Sequence, residues 1–334
     1  MFLGKKPIIT VLAALVLSLL LTACSGLEYG LRFKDGDVPG GGEREGQVLA
    51  GRNAKKFGAS YMTLNNPYFV ILDGEIKKVL TEKGDKLMTL DPQLDINRQI
   101  NCIGELVAQQ VELIFLNPVE WKGIRPALEA AQKAGTPVIV VDSPVFDESM
   151  LASTIISDNY NAGVVAAKHL MKKLPGGNVV ILDHPTAKSA VDRAKGFEDT
   201  LAGSGNYRIA AKNTANGQLE YAMPVMEDAM VQCKKIDAVF AINDPSAIGA
   251  IAALEAAGKL KGTLVYGVDG APEARQLIAL GKMTATSAQL PRKIGTAAAE
   301  TAYRLLAGEK VEKTITIPIE LIDKDNVEEY PVQW

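Results

Sequence analysis

The chain has 334 residues and carries 36 Lys and Arg against 39 Asp and Glu, a formal net charge of −3. A mildly acidic surface lacks the cationic field that nucleic acid requires, so DNA and RNA are not expected partners. Two His and three Cys are too few for a disulfide framework, and no second His or Cys stands at ligand spacing from His169 or His184, so neither a zinc site nor a cofactor is expected.

The first element is an export signal. Lys5 and Lys6 form a positive start, Ile8 to Leu21 an apolar core, and Leu21-Thr22-Ala23-Cys24 closes it with small residues before a cysteine. This lipobox pattern predicts cleavage after residue 23 and a diacylglyceryl thioether on Cys24, which would hold the rest of the chain on the outer face of a bacterial cell membrane. A plain transmembrane anchor is the alternative, but the apolar stretch is short and runs straight into Ser25-Gly26. Cleavage leaves 34 basic against 39 acidic residues, a net of −5. Residues 24–55 follow, with Gly36, Gly40, Gly41, Gly42, Gly46 and Gly51 set among charges; they read as a tether of about 30 Å root-mean-square span.

From Lys56 apolar β-rich runs alternate with helical segments. Strands are expected at Phe57–Met62, Lys86–Leu90, Leu113–Leu116, Val138–Val141, Val179–Leu182, Arg208–Ala211, Ala238–Ile242, Leu264–Val268 and Thr284–Ala288. Helices between them include Ile96–Gln110, Ile124–Ala134, Ala162–Lys173 and Ile248–Ala257. Continuous apolar strands separated by helices predict parallel sheets covered on both faces, and two smaller sheets suit this length better than one of nine strands. The break between them is placed at Ser153–Asn159, read as an extended connection. Cys102 and Cys233 fall on helices in different halves and are expected as buried free thiols; His169 lies mid-helix with a structural role.

In such sheets ligands bind beyond the carboxyl ends of the strands. Those ends are polar here: Thr63-Leu64-Asn65-Asn66-Pro67-Tyr68-Phe69, Asp142-Ser143-Pro144, Asp183-His184, Asn243-Asp244-Pro245, Asp269-Gly270 and Gln289. Carboxylates and amides with adjacent aromatics suit a sugar, whose hydroxyls both donate and accept while its C–H faces stack on rings. The plainer explanation, that Asp and Asn after strands cap the next helix, is favoured for Asp158 or Asn159 taken alone.

Together with Val141-Asp142, Ser157-Asp158-Asn159, Arg193-Ala194-Lys195-Gly196-Phe197, Phe240-Ala241-Ile242-Asn243-Asp244, Gly267-Val268-Asp269-Gly270 and Ala288-Gln289-Leu290-Pro291, the Thr63–Phe69 run resembles the ribose-binding-protein family of bacterial solute receptors. The likeness runs in order from Lys56 to about Pro318. It implies an α/β type I periplasmic binding fold, with two Rossmann-like lobes of parallel sheet joined by a three-segment hinge near Ser157-Asp158, Gln289-Leu290 and Pro318. The lobes would comprise residues 56–157 with 290–318 and residues 158–289 with 319–334. It also implies that Asn66, Tyr68, Phe69 and Asp142 line one wall of an interlobe site, and Arg193, Asn243, Asp269 and Gln289 the other wall and hinge. Against the family pattern, Met62 replaces a small polar residue, Ser143 an Arg, and Gly217 and Val268 aromatics. Trp121 and His184 are candidates to refill that space, so Met62, Ser143, Trp121 and His184 form a second tier of site residues.

The function implied is a monomeric, lipid-anchored receptor that captures a monosaccharide or related polyhydroxylated ligand and delivers it to the permease and ATPase subunits of an ABC importer. Rival readings remain. A sensor kinase or chemoreceptor could be the recipient, and Asp142 facing Asp269 could act on a glycoside, although no G-x-S-x-G, phosphate loop or H-E-x-x-H accompanies them. A lactose-repressor-type regulator would need a helix-turn-helix where this chain has its export signal.

Overall fold

The computed structural model describes residues 53–331; the export signal, Cys24 and most of the 24–55 tether lie outside the described residues. Strand and helix alternate along the chain. The elements run β1 (Lys56–Ser60), α1 (Pro67–Glu82), β2 (Lys86–Thr89), α2 (Ile96–Ala108), β3 (Ile114–Leu116), α3 (Arg125–Ala134), β4 (Val138–Asp142), β5 (Ser153–Ser157), α4 (Asn159–Lys173) and β6 (Gly177–Asp183). They continue with α5 (Lys188–Ala202), β7 (Tyr207–Thr214), α6 (Leu219–Gln232), β8 (Ala238–Ala241), α7 (Asp244–Ala256), β9 (Leu264–Asp269), α8 (Pro272–Ala279), β10 (Ala285–Ala288), α9 (Pro291–Leu306), β11 (Thr314–Ile317) and β12 (Glu320–Asp323).

The strands form two six-stranded sheets, ordered β11-β5-β4-β3-β1-β2 and β12-β10-β9-β8-β6-β7. Their pairs are parallel except β10 with β12. Central strands such as β4 and β8 are buried at every position, which is why they read as unbroken apolar runs. The chain passes between the sheets three times: from β5 into α4, from β10 into α9, and from β11 into β12. Helix α9 returns to pack on α1, where Arg292 and Thr296 both reach Glu75, at 3.2 and 3.3 Å. The result is the two-lobed α/β type I periplasmic binding fold.

Three strands escaped the expected set. Ser153–Asn159 is not a bare connection, because its first five residues form β5 and pair with both β4 and β11. The edge strands β11 and β12 are mostly exposed or half-buried and so lack an apolar run. For the same reason β7 continues three residues past Ala211, to Thr214, through polar Lys212 and Asn213. Helix α4 begins at Asn159 rather than Ala162, because Asp158 caps it by accepting from the Asn161 N–H at 3.1 Å. Cys102 and Cys233 are free thiols but half-buried, not buried: Cys102 lies on α2 and Cys233 at the C-cap of α6, near solvent. His169 sits on α4 with Nδ1 3.2 Å from the Tyr266 hydroxyl and Nε2 3.1 Å from Asp323, tying the helix to β9 and β12.

Helices α4 and α5 cross with their backbones almost touching. A Cβ added at Gly163 would lie 2.0 Å from the Arg193 carbonyl, and one at Gly196 2.0 Å from that of Tyr160. These two glycines therefore set the position of α5 and of the Arg193 it carries. Gly196→Ala is expected to destabilise the protein by about 1–3 kcal/mol or more in urea unfolding, since backbone must move. Gly104→Ala on α2, where nothing lies within 4 Å, is expected to stabilise it by up to about 1 kcal/mol. Equal effects at the two positions would contradict the close crossing.

Candidate functional site

The carboxyl ends of strands from both sheets face one crevice, and the loops after them line it. Its walls comprise Met62, Asn66, Tyr68, Phe69, Asp142, His184, Ala187, Ser189, Ala190, Arg193, Asn216, Gly217, Gln218, Ile242, Asn243, Asp269 and Gln289. All eight primary candidates stand among them. Of the second tier, Met62 and His184 line the crevice; Ser143 and Trp121 do not.

Helix caps fix two of these residues. Asn66 begins α1 and accepts from the Tyr68 N–H at 3.0 Å; Asn243 begins α7, accepting from the Ser246 N–H at 3.1 Å while donating to the Gly217 carbonyl at 2.8 Å. The capping explanation and the site explanation thus both hold, because a cap after a parallel strand stands at the mouth of the crevice. Tyr68 and Phe69 follow the first cap as a perpendicular ring pair 5.3 Å apart, and the Tyr68 hydroxyl donates to Gln289 Oε1 at 3.4 Å.

The charged centre is Arg193 with Asp142 and Asp269. Arg193 donates from Nε to Asn159 at 2.8 Å and from Nη1 to the Ile242 carbonyl at 3.0 Å. Its nitrogens stand 4.0 Å from Asp142 and 3.8 Å from Asp269, too far for a hydrogen bond to either. Asp142 receives Asn117 on Oδ2 at 3.0 Å, whereas its buried Oδ1 has no hydrogen-bond partner. Asp269 receives Gln289 Nε2 at 2.7 Å. Both aspartates have positive φ, 65° and 138°, a region that L-residues seldom occupy and that turns each side chain at the strand end. Burial raises the Asp142 carboxyl above its ordinary range, against the opposing pull of Arg193, Tyr68 and Asn117. Burial, reinforced by Asp244, raises Asp269 well above it. His184 is pushed down to about 4 by burial alone, so its ring is neutral at pH 7.

Several residues here have no counterpart among the expected ones. Asn117, wholly buried after β3, accepts from the Met62 N–H and donates to Asp142 and the Val141 carbonyl, which positions the aspartate. Asn159 is no cap: it joins Arg193 to the Asp142 carbonyl. The rule that follows strand ends into the crevice identifies Asn117 directly, and from the end of β7 at Thr214 it leads to Asn216 and Gln218 on either side of Gly217, which the resemblance already places at the site. Gly217 has φ +68°, and a Cβ there would stand 3.1 Å from Asn243 and 3.3 Å from His184, so its bareness keeps the wall open. Val268 belongs to the core, not the wall.

Ser143 and Trp121 instead hold the lobes together beside the crevice. The Ser189 N–H donates to Ser143 Oγ at 3.2 Å, and the Trp121 N–H to the Thr186 carbonyl at 3.1 Å. The Trp121 ring meets exposed Phe146 edge-on at 5.6 Å, under the ammonium of Lys122. Among the described residues no cluster of His, Cys, Asp or Glu could hold a metal ion.

Residues 57–310 match the family model described as a periplasmic binding protein domain. The ribose import binding protein RbsB of Bacillus subtilis is 35% identical over 273 residues, which is 80% of this chain and 88% of that one. An ABC transporter solute binding protein of Mycobacterium smegmatis, solved with bound glycerol, superposes with a TM-score of 0.78 at 31% identity, covering 83% of this chain and 96% of that one. One from Bacillus halodurans C-125, solved with myo-inositol, gives 0.78 at 26% identity over 84% and 98%. These are binding components of transporters, not enzymes. With its two sheets, its interlobe crevice and a family match over most of its length, the chain belongs to the periplasmic binding proteins.

Proposed function

We propose that this protein is a lipid-anchored solute receptor that closes its two lobes on a sugar or polyol and presents it to an ABC import permease. The observation that carries this reading is the convergence of Asp142, Arg193, Asn243, Asp269, Gln289, Tyr68 and Phe69, drawn from both sheets and the hinge, on one crevice. Two carboxylates, two amides, a guanidinium and two rings form the donor and acceptor set that coplanar hydroxyls need.

The groups are split between the lobes, so a ligand contacts all of them only in the closed form and stabilises it by that difference. A micromolar ligand corresponds to about −8 kcal/mol, within reach of several charge-assisted hydrogen bonds and one stacked face. Neutral His184 can donate or accept at the second wall. Arg193 stands between Asp142 and Asp269, 4.0 and 3.8 Å away, where a glycosidase's two carboxyl groups must face the scissile bond, so the arrangement favours binding over reaction. The lipobox at Cys24 supports an anchor on the outer face of the membrane, with the tether giving the receptor reach to its permease.

A thermal-shift screen of pentoses, hexoses and polyols should yield at least one compound that raises Tm, because a ligand that binds only the folded state stabilises it; a screen without any such compound would remove the sugar reading. With that compound, Asn243→Ala and Asp142→Ala should each weaken binding by about 1–3 kcal/mol in calorimetry, since ligand hydroxyls lose their partners; unchanged affinity would take the residue out of the site. Cys24→Ala should shift the protein from the membrane pellet to the soluble fraction, and a variant that still pellets would overturn the anchor.

A further inference from the structure

The flanks of the crevice differ. Beside α3 and α5 the lobes are joined across it, the Trp121 N–H donating to the Thr186 carbonyl at 3.1 Å and the Ser189 N–H to Ser143 Oγ at 3.2 Å. Beside α1, α6 and α7 the lobes leave a pocket of about 380 Å³. Asn66 and Gln218 line both the crevice and this pocket, so the second space begins where the first ends. Both lobes build it: Pro67 comes from the start of α1, and Leu219, Pro245 and Ile248 come from α6 and α7. An apolar cavity of about 150 Å³ admits a benzene ring, so a ring-sized group has room here.

The chemistry of the pocket selects what can fill it. Helices α1, α6, α7 and α8 all start around it, and the N–H groups of helix starts attract anions. Here that pull is blunted, because α1, α7 and α8 each carry a proline at the first or second position, at Pro67, Pro245 and Pro272, and proline has no N–H to offer. Exposed Glu220 and Glu273 stand on the rim, and among the described residues no Lys or Arg lines the pocket. A phosphate or carboxylate would therefore meet two like charges and few donors. A cation would be drawn only by exposed carboxylates, whose field water and salt screen. What remains is apolar surface: Leu219 is 43% exposed and Ile248 half-buried, and an apolar group that covers them is stabilised by leaving water.

We infer that the pocket is a second binding site, continuous with the crevice, for an uncharged apolar substituent carried by the sugar, such as the aglycone of a glycoside. This rests on the sugar-receptor reading and narrows it. The sugar ring would occupy the crevice, and its substituent would pass between Asn66 and Gln218 to lie against Pro67, Leu219, Pro245 and Ile248. Because Pro67 stands on one lobe and the other three on the second, the substituent adds its contacts to the closed form and so favours closure along with the sugar.

The test measures, by calorimetry, the methyl and phenyl glycosides, α and β, of D-ribose, L-arabinose, D-xylose, D-glucose and D-galactose. At least one phenyl glycoside should bind about tenfold or more tighter than the methyl glycoside of the same sugar and anomer, and Leu219→Ser and Ile248→Ser should each shrink that ratio to about threefold or less. Leu219 is exposed, so its replacement leaves the core intact, and the wild-type comparison needs neither variant. If no phenyl glycoside outbinds its methyl partner, the second site is overturned; a free sugar or polyol that still raises Tm then leaves the receptor reading standing, and a screen with none overturns both. A phenyl preference undiminished in both variants would show that the ring lies elsewhere and would overturn this pocket as its site.

Discussion

One guanidinium held between carboxylates from opposite sheets is the constraint around which the rest is arranged. Asp142 ends a strand of the first sheet, Asp269 a strand of the second, and Arg193 rides on α5 between them, its nitrogens 3.8 and 4.0 Å away. Exposed ion pairs contribute little because water screens them, and buried ones must overcome the loss of hydration. This cluster is buried yet not saturated by its own hydrogen bonds. It is therefore a poor device for stability alone and a suitable one for a ligand that completes it.

The fold supplies that geometry with few local devices. Parallel strands deliver their carboxyl ends to one side, and each next helix starts there with an Asx cap, so capping residues and wall residues are the same ones at Asn66 and Asn243. Gly163 and Gly196 let α4 and α5 approach until backbone meets backbone, which sets the height of Arg193 in the crevice. Asn117 and Asn159 then hold Asp142 from behind, one by its carboxylate and the other by its carbonyl. Ser143 with Ser189 and Trp121 with Thr186 join the lobes outside the crevice through backbone N–H groups.

Much of this was legible in the sequence because burial on both faces leaves a plain trace. Strands such as β4 and β8 have no exposed position and announce themselves as apolar runs; β5, β11 and β12 lie towards or at an edge, and the positions of β11 and β12 are mostly exposed or half-buried, so they leave no apolar run. The wall residues followed from one rule, that ligands meet the ends of parallel strands, combined with the family resemblance. What spacing could not reveal was which side chains turn inward. Trp121 and Ser143 stand in the right loops, but the Trp121 ring packs on Phe146 and the Ser143 hydroxyl is taken by the opposite lobe, whereas Asn159 reads as an ordinary cap residue. The partial exposure of Cys102 and Cys233 has a similar origin, for one sits on a solvent-facing flank of its helix and the other at a helix end.

Because the polar groups belong to two lobes that a bound ligand would hold together, the overall dimensions of the molecule should depend on occupancy. Small-angle scattering of the mature protein, with and without a saturating concentration of a compound shown to raise its Tm, measures this directly. The radius of gyration should fall on ligand addition, and a radius indifferent to the bound ligand would contradict a site completed by closure.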